Sequence, residues 1–488
     1  MLKTLLARRR PARYVLAALL GAAGVLAFAP FDLFWLAPLV WLGLFLLLRA
    51  ASSVRQAALT GLAFGLGFFL CGVSWVYVSL SVFGGMPWWL AGIAAFLFCA
   101  VMALFPLLAG AAFKRWQPAT DWRQAVFFAI LIAAGDWLRS WIFTGFPWLA
   151  AGYSQTPPSP LSGFAPLLGV HGLSLLVVLV GAVLVCRWRG AMVIVAILAA
   201  GFGLRQVAWT TPDGEPIRVA LIQGNVPQEM KFRPDALIRT LNLYRELIEA
   251  HPAQLTLLPE TAIPIFFDQL PPAYIEALKA AVARHGGDLI LGTLTGDNER
   301  YWNSALSIGS SPLQIYSKTH LVPFGETIPP GFSWFMQLAT IPMSSFERGP
   351  EKQAPLNVAG RQVAINICYE DAFGEEIIGA LPQAGILANL SNTAWFGRSL
   401  AQPQHLQIAR MRAIETGRPM LRATNTGMTA VIAPDGAVTA ILPPFTQGVL
   451  QAEVTAYQGL TPYARLGNGP ALALLALLLG LASRRGRA

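Results

Sequence analysis

The chain has 488 residues, of which 55% are hydrophobic and 12% are charged, and its formal net charge is +10. Soluble domains contain about 25% charged residues, so this composition excludes an ordinary soluble enzyme, a disordered protein and a disulfide-rich secreted scaffold. A membrane protein with room for a separate soluble domain is the expected class.

Apolar stretches long enough to cross a bilayer as helices dominate the first part of the chain. Seven of them precede residue 209, at about 13–29, 33–49, 57–80, 88–113, 122–146, 164–186 and 190–208. An eighth lies near 468–483. The pattern predicts a membrane domain with seven transmembrane helices at 1–208, and a C-terminal transmembrane helix with a basic tail at 468–488.

The charges predict the orientation of these spans. Residues 1–208 carry 14 Lys and Arg but only three acids, and the basic residues cluster before the first span and on alternate loops. By the positive-inside rule both termini are cytoplasmic and residues 209–467 are on the opposite side. Residues 209–483 hold 18 basic and 22 acidic residues. This slightly acidic balance predicts no nucleic-acid partner.

Two opposite charges interrupt the fifth predicted span. Asp136 and Arg139 are three residues apart and therefore share one face of a helix. They fit a structural ion pair near the helix end, and they also fit a lipid headgroup contact or a relay.

Residues 209–467 have a different pattern, in which short β-type runs alternate with helical stretches. Strands are predicted at 217–224, 255–260, 288–294, 303–309, 313–319, 361–368, 384–391, 428–433 and 437–442. Helices are predicted at 235–250, 272–285 and 403–417. The segment is therefore expected to be an α/β domain with mixed strand connections.

One irregular segment, residues 325–350, is apolar and rich in proline. Long loops inside compact domains often bind or cover ligands. Trp334 and Phe335 would be unusual on a water-facing loop, so we expect them either to reach a membrane interface and contact substrate or to pack on their own domain.

Three reactive side chains follow predicted strands. Glu260 ends "LLPE", Lys318 lies in "YSKT", and Cys368 ends "AINIC". Strand ends of α/β folds often hold the chemistry, and a thiol nucleophile needs both a base and a cation. Position alone leaves Cys368 either catalytic or a buried structural cysteine, and the two charges could each be solvated surface residues.

The three segments together resemble a known family. "LLPETAIP", "YSKTHLVPFGE" and "INICYEDAFGE", in this order, resemble the catalytic segments of the nitrilase (carbon–nitrogen hydrolase) superfamily. With seven spans before them and one after, the full chain resembles the bacterial apolipoprotein N-acyltransferases. The resemblance implies an α-β-β-α sandwich for the second domain, a bacterial inner membrane, and a periplasmic catalytic domain.

The resemblance also implies roles for single residues. Cys368 is expected to be the nucleophile, Glu260 the general base and Lys318 the oxyanion stabiliser. Supporting roles fall to three residues near them, namely Glu326, Tyr369 and Glu370. Substrate contacts are expected from Trp395 and from Phe232, which stands where family members often carry Trp.

The expected reaction is acyl transfer through a Cys368 thioester. The expected donor is a phospholipid, usually phosphatidylethanolamine in this family, and the expected acceptor is the N-terminal amine of a diacylglyceryl apolipoprotein. We expect a monomer. We also expect no metal, because the histidines lack the spacing of metal ligands, and no cofactor, because the glycines form no phosphate-binding loop. The alternatives are a membrane-tethered amidase or nitrilase acting on a soluble substrate, and a non-enzymatic membrane scaffold or transporter.

Overall fold

A computed structural model describes residues 10–231, 233–297, 299–328 and 345–483. The chain divides into two compact units. The first comprises the chain up to Tyr77, Trp88–Ala208 and the chain from Arg465. The second comprises Val78–Pro87 and Trp209–Ala464.

The first unit consists of helices. Before residue 209 they are α1 (Arg10–Gly24), α2 (Leu36–Arg49), α3 (Val54–Gly72), α4 (Trp88–Met102), α5 (Leu104–Arg115), α6 (Asp121–Arg139), α7 (Ala165–Ala182) and α8 (Trp188–Leu204). Single-turn helical segments at Val25–Ala27, Ile142–Thr144, Ala151–Gln155, Pro160–Phe164 and Val183–Cys186 extend or connect them. A last helix, Gly469–Ser483, returns to this unit at the end of the chain.

Among the described residues, three helical stretches are long and apolar enough to cross a bilayer by length and composition. They are Val54–Gly72, Trp88–Arg115 and Pro160–Cys186. Four shorter apolar helices are Pro11–Ala27, Leu36–Arg49, Trp188–Leu204 and Gly469–Ser483. The membrane character expected from the composition is therefore present as apolar helices, whereas the number of eight spans stays a prediction.

Several helices are shorter than the apolar stretches that predicted them. The stretch at 57–80 forms a long helix only to Gly72, Val76–Val78 forms a separate single turn, and residues 79–83 form a π-helical turn in the second unit. The stretch at 88–113 divides at Ala103, because Pro106 has no N–H to donate to the carbonyl of Met102. The stretch at 122–146 is helical only to Arg139.

Glycines allow α1 and α3 to approach closely. A Cβ on Gly21 would lie 2.0 Å from the carbonyl oxygen of Phe64, and a Cβ on Gly67 would lie 2.0 Å from that of Ala18. Any larger side chain at either position would separate the two backbones. Small residues commonly allow this kind of contact between apolar helices.

The pair predicted on the fifth span is buried and tied to the chain that follows. Asp136 Oδ1 accepts a hydrogen bond from Arg139 Nη2 at 3.0 Å, and Oδ2 accepts from the Ala151 amide and from Ser174 Oγ, each at 2.8 Å. Arg139 Nη1 donates to the carbonyls of Phe146 and Trp148. Both side chains are at least 89% buried, so their contacts support the structural interpretation rather than a headgroup contact.

The second unit contains two six-stranded sheets. Its strands are β1 (Thr211–Gln223), β2 (Leu255–Leu257), β3 (Asp288–Gly296), β4 (Tyr301–Gly309), β5 (Gln314–Ser317), β6 (Leu356–Val358), β7 (Arg361–Ile367), β8 (Ile386–Ser391), β9 (Met420–Thr424), β10 (Ala430–Ile432), β11 (Val438–Ile441) and β12 (Gly448–Gln458). The first sheet has the order β12-β1-β2-β3-β4-β5, and the second has the order β11-β10-β9-β8-β7-β6. In each sheet the central three strands are parallel and the flanking strands are antiparallel.

The helices of this unit cover the outer faces of the two sheets. They are α9 (Pro234–Ala250), α10 (Pro272–Ala283) and α11 (Ala401–Thr416), with shorter turns at Gln228–Lys231, Phe267–Gln269, Cys368–Ala372, Gly374–Ile377, Ile378–Ala380, Thr393–Phe396 and Pro462–Leu466. One apolar core joins the two sheets face to face, a second joins the first sheet to α9 and α10, and a third joins the second sheet to α11. The layers are therefore helix, sheet, sheet and helix, as the family resemblance implied.

The nine predicted strands and three predicted helices of this unit are confirmed, with ends that shift by a few residues. Three strands were not predicted. The strand β6 has three residues, β9 contains the buried Arg422, and β12 alternates exposed and buried residues at the sheet edge. None of the three shows the continuous apolar run by which the other strands were recognised.

We expect Arg139→Met to lower the free energy of unfolding in detergent by about 3–5 kcal/mol, because the carboxylate of Asp136 stays buried without its counter-charge. The matched control is Arg49→Met. Arg49 pairs with Asp121 in the same unit, but 26% and 53% of these side chains are exposed, so about 0–1 kcal/mol is expected. Equal losses in the two variants would contradict the structural role of Asp136 and Arg139.

Candidate active site

Cys368 lies in a sharp turn directly after β7. Its φ is +53°, a left-handed backbone conformation that costs a residue other than glycine about 1–2 kcal/mol. The residue is 7% exposed, and its carbonyl oxygen is 3.1 Å from Asn389 Nδ2 and 3.2 Å from His405 Nε2. These two donors fix the turn, so the thiol is held at the end of the strand.

A buried ionic network supports the two donors. His405 Nε2 is also 2.7 Å from Asp371 Oδ1. The Cys368 carbonyl and the Asp371 carboxylate are both hydrogen-bond acceptors, so Nε2 carries the proton. Arg422 Nη1 donates to Asp371 Oδ2 at 3.0 Å and to Asn389 Oδ1 at 2.9 Å. His405 therefore serves as a hydrogen-bond donor to the Cys368 turn.

Glu370 connects the Cys368 turn to the segment after β5. Its Oε1 accepts from the amides of Thr319 and His320 at 2.6 and 3.0 Å, and its Oε2 accepts from the Ile367 amide and the Tyr316 hydroxyl at 2.6 and 2.9 Å. Burial raises the pKa of Glu370 to about 7, while the backbone amides favour its charged form. Both oxygens accept and neither is placed to donate, which is the pattern of a carboxylate.

The ammonium group of Lys318 contacts two carboxylates. Its Nζ is 3.2 Å from Glu260 Oε1 and 2.8 Å from Glu326 Oε1, and the lysine side chain is 1% exposed. Asn303 Nδ2 bridges the same two oxygens at 2.8 and 3.0 Å. The Asn392 amide donates to Glu260 Oε2 at 2.7 Å, and the Val322 amide donates to Glu326 Oε2 at 2.9 Å.

These contacts determine the charge states. Burial alone would raise the pKa of Glu260, but Lys318, Lys231 and the two amide donors hold it below its ordinary value of 4.5. Burial alone would lower the pKa of Lys318, but the two carboxylates hold it above its ordinary value. Burial and the charge of Glu260 raise the pKa of the Cys368 thiol, although Lys318 opposes them. The resting site at neutral pH therefore holds carboxylates, an ammonium and a neutral thiol.

The structure thus brings the predicted Glu260, Lys318 and Glu326 into direct contact. Cys368 lies close enough for their charges to act on its thiol. Tyr369 is buried beside this turn, and its ring meets those of His320 and Phe373 edge-on at 5.7 and 5.1 Å.

Trp395 lies on the loop after β8, which begins next to the Asn392 amide that binds Glu260. Its carbonyl accepts from Ser79 Oγ at 2.8 Å, and its ring lies 6.0 Å from that of Phe83. Residues 78–87 therefore pack on this loop within the second unit. Three predicted substrate contacts, Phe232, Trp334 and Phe335, lie outside the described residues.

The histidines near the site contact carboxylates. His320 Nδ1 is 2.7 Å from Glu376 Oε1, and His405 binds Asp371. Within the described ranges, no group of three or more His, Cys, Asp or Glu side chains could hold a metal ion.

Comparisons with known proteins bear on the whole chain. Residues 20–183 match the family model of the apolipoprotein N-acyltransferase N-terminal domain, and residues 218–463 match that of carbon-nitrogen hydrolase. The apolipoprotein N-acyltransferase of Nitrosomonas europaea is 48% identical over 483 residues, which cover 96% of each chain. That of Ralstonia nicotianae is 47% identical over 491 residues, which cover 96% of this chain and 93% of the relative. The chain belongs to the apolipoprotein N-acyltransferase family.

Solved structures with a similar fold cover about half of this chain. An amidase from Nesterenkonia is 19% identical, with a TM-score of 0.40 over 54% of this chain and 97% of the amidase. The C. elegans NitFhit protein is 18% identical, with a TM-score of 0.41 over 56% of this chain and 65% of that protein.

Several residues around the site were not identified from the sequence. The amides of Asn303 and Asn392 bind Glu260, and Lys231 Nζ donates to the Glu260 carbonyl at 3.1 Å. Their sequence neighbourhoods gave no signal, because an amide inside a strand or a lysine in a short polar turn is ordinarily a solvated residue. Asn392 follows β8 of the second sheet and reaches Glu260 only when the sheets pack, whereas Asn303 on β4 and Lys231 after β1 reach it within the first sheet.

We expect Glu370→Gln to lower the free energy of unfolding by about 2–4 kcal/mol and to slow any reaction of Cys368. The NH2 group of the glutamine would replace one of the two oxygens that now accept hydrogen bonds, and it would face donors without being able to accept from them. The matched control is Glu376→Gln, which alters one partly exposed contact to His320 and should cost less than about 1 kcal/mol. A Glu370→Gln protein as stable and as reactive as Glu376→Gln would contradict the linking role of Glu370.

Proposed function

We propose that this chain transfers an acyl group from a phospholipid, through a thioester on Cys368, to the N-terminal amine of a diacylglyceryl apolipoprotein. Its family membership identifies it as an acyltransferase that matures lipoproteins. The observation that supports the mechanism is the buried contact of Lys318 with Glu260 and Glu326 beside the Cys368 turn.

The first half-reaction forms the thioester. The sulfur of Cys368 attacks the ester carbonyl of the donor as its proton moves to Glu260, and the charge that develops on the carbonyl oxygen is stabilised by Lys318. The carbonyl re-forms, the carbon–oxygen bond of the ester breaks, and the leaving alkoxide takes the proton from Glu260. The products are a lysophospholipid and S-acyl Cys368.

The second half-reaction forms the amide. The α-amine of the acceptor attacks the thioester carbonyl, Glu260 accepts a proton from the nitrogen, and the carbon–sulfur bond breaks. The departing sulfur takes the proton back from Glu260, which restores the thiol and the carboxylate. Both substrates use one site in turn, so the kinetics are expected to be ping-pong.

The charge states determine when the proton moves. The pKa of Cys368 is held above its ordinary value and that of Glu260 below its own, so transfer from thiol to carboxylate is unfavourable in the empty site. Attack on the carbonyl removes the negative charge from sulfur and makes the transfer favourable. We therefore propose that deprotonation accompanies attack, so the resting enzyme holds no preformed thiolate.

The membrane part of the proposal follows the lipid nature of both substrates. We propose seven transmembrane helices within 1–208, a catalytic domain at 209–467 and an eighth transmembrane helix in 468–488. The alternation of basic loops supports cytoplasmic termini and a periplasmic catalytic domain in the bacterial inner membrane. We further propose phosphatidylethanolamine as the donor and a monomer as the working form.

The direct test is the intact mass of the purified protein after incubation with phosphatidylethanolamine micelles and no acceptor. We expect one added acyl mass that hydroxylamine releases and that a diacylated lipopeptide discharges. Cys368→Ala should gain no mass, whereas Cys71→Ala, which removes an exposed cysteine elsewhere, should behave like the wild type. An acyl adduct on Cys368→Ala, or none on folded wild-type protein with a reduced thiol, would contradict the mechanism.

A further inference from the structure

The site contains a second buried lysine that the mechanism above does not use. Lys231 ends the short helical turn Gln228–Lys231 and is 4% exposed. Its Nζ donates to the backbone carbonyl of Glu260 at 3.1 Å. A buried ammonium is unfavourable unless opposite charge or hydrogen bonds compensate it. The burial of Lys231 beside the proposed general base therefore requires such a compensating interaction.

The turn that carries Lys231 is fixed to the same loop that holds the Glu260 carboxylate. Asn392 donates its backbone amide to Glu260 Oε2 at 2.7 Å and its side-chain Nδ2 to Gln228 Oε1 at 2.8 Å. The Val226 amide donates to Asn425 Oδ1 at 3.0 Å, and Asn425 Nδ2 donates to the Val226 carbonyl at 2.8 Å. The position of the ammonium is therefore determined by the same contacts that orient the carboxylate.

Lys231 supplies a second cation beside the two carboxylates that contact Lys318. Glu260 and Glu326 share the single ammonium of Lys318. The cations that act on Glu260 are Lys318 and Lys231, and the groups that act on Lys231 are Glu260 and Cys368. With Lys231 charged, two carboxylates face two ammonium groups around a neutral thiol.

We propose that Lys231 is a positioning residue for acyl transfer, which holds the backbone of Glu260 and supplies the second cation that keeps its side chain a carboxylate ready to accept the Cys368 proton. The role of Glu260 as the base rests on the proposed function, whereas the effect of Lys231 on its ionisation does not require any lipid substrate. Burial lowers the pKa of Lys231 to about 8, so the ammonium form predominates at neutral pH.

The test measures how the rate of Cys368 alkylation by iodoacetamide depends on pH in the absence of lipid. The extent of alkylation is read from the Cys368 peptide by mass spectrometry. The thiol reacts by giving its proton to Glu260, so the rate falls at low pH as Glu260 becomes protonated. In the wild type this acid limb should lie below pH 4.5, because the pKa of Glu260 is held below its ordinary value. Glu260→Gln should abolish this limb and leave a rate that simply follows the thiolate fraction of Cys368 over the whole pH range, which assigns the limb to this carboxylate.

Lys231→Met should move the acid limb to higher pH by about one unit or more, because the charge of Lys231 lowers the pKa of Glu260 and a nearby opposite charge typically lowers a carboxyl pKa by about 1–3 units. Lys231→Arg should keep the limb near its wild-type position, and the exposed Lys279→Met should leave it unchanged.

The proposal would be overturned if Lys231→Met slowed the alkylation of Cys368 but left the acid limb at its wild-type pH. Lys231 would then have a purely structural role. A limb that persists in Glu260→Gln would overturn it as well. Failure of the lipid to acylate Cys368, with the shift still present, would contradict the proposed function and leave the role of Lys231 intact.

Discussion

The hydrogen-bonded contact of one ammonium with two carboxylates is the interaction on which the active site depends. Lys318 follows β5, Glu260 follows β2, and Glu326 lies in the segment that follows Lys318. Removal of charges from water costs several kcal/mol per ion, and only close pairing with further hydrogen bonds offsets that cost. Asn303 and the amides of Asn392 and Val322 supply those bonds. The packing of the two sheets and the chemistry of the site are therefore coupled.

The same coupling explains how the strained turn at Cys368 is retained. The left-handed turn at Cys368 is unfavourable by itself, but its carbonyl is bound by Asn389 and His405, and Glu370 ties the adjacent Ile367 amide to the chain after Lys318. A displacement of the thiol would have to break these buried bonds. The backbone of Cys368 therefore keeps one position relative to Glu260 and Lys318.

The neutral resting thiol suits an enzyme that must transfer an acyl group to an amine and not to water. A preformed thiolate would react with other electrophiles, whereas a thiol that loses its proton only during attack is reactive toward a bound ester. The membrane unit fits this task, because both proposed substrates are lipids with headgroups at the bilayer surface.

Much of this arrangement could be predicted from the sequence, because the reactive residues directly follow apolar strands. Glu260, Lys318 and Cys368 were recognisable in that way, and the family resemblance added Glu326 and Glu370. The neighbours that set the charge states could not be recognised, since Lys231 and Asn303 approach Glu260 only when the strands of the first sheet pair, and Asn392 only when the two sheets pack. Helix ends in the membrane unit were misjudged for a similar reason. Apolar composition continues past Arg139, but the helix ends there and the guanidinium binds the carbonyls of residues 146 and 148.

The most direct test of the shared charge is a double-mutant cycle on the free energy of unfolding, measured for Lys318→Met, Glu326→Gln and the two substitutions together. Lys318→Met alone leaves two carboxylates short of their common cation and should cost about 3–5 kcal/mol. The double variant removes one of those negative charges, so it should be more stable than Lys318→Met. Losses that simply add, as they do for independent sites, would contradict the account.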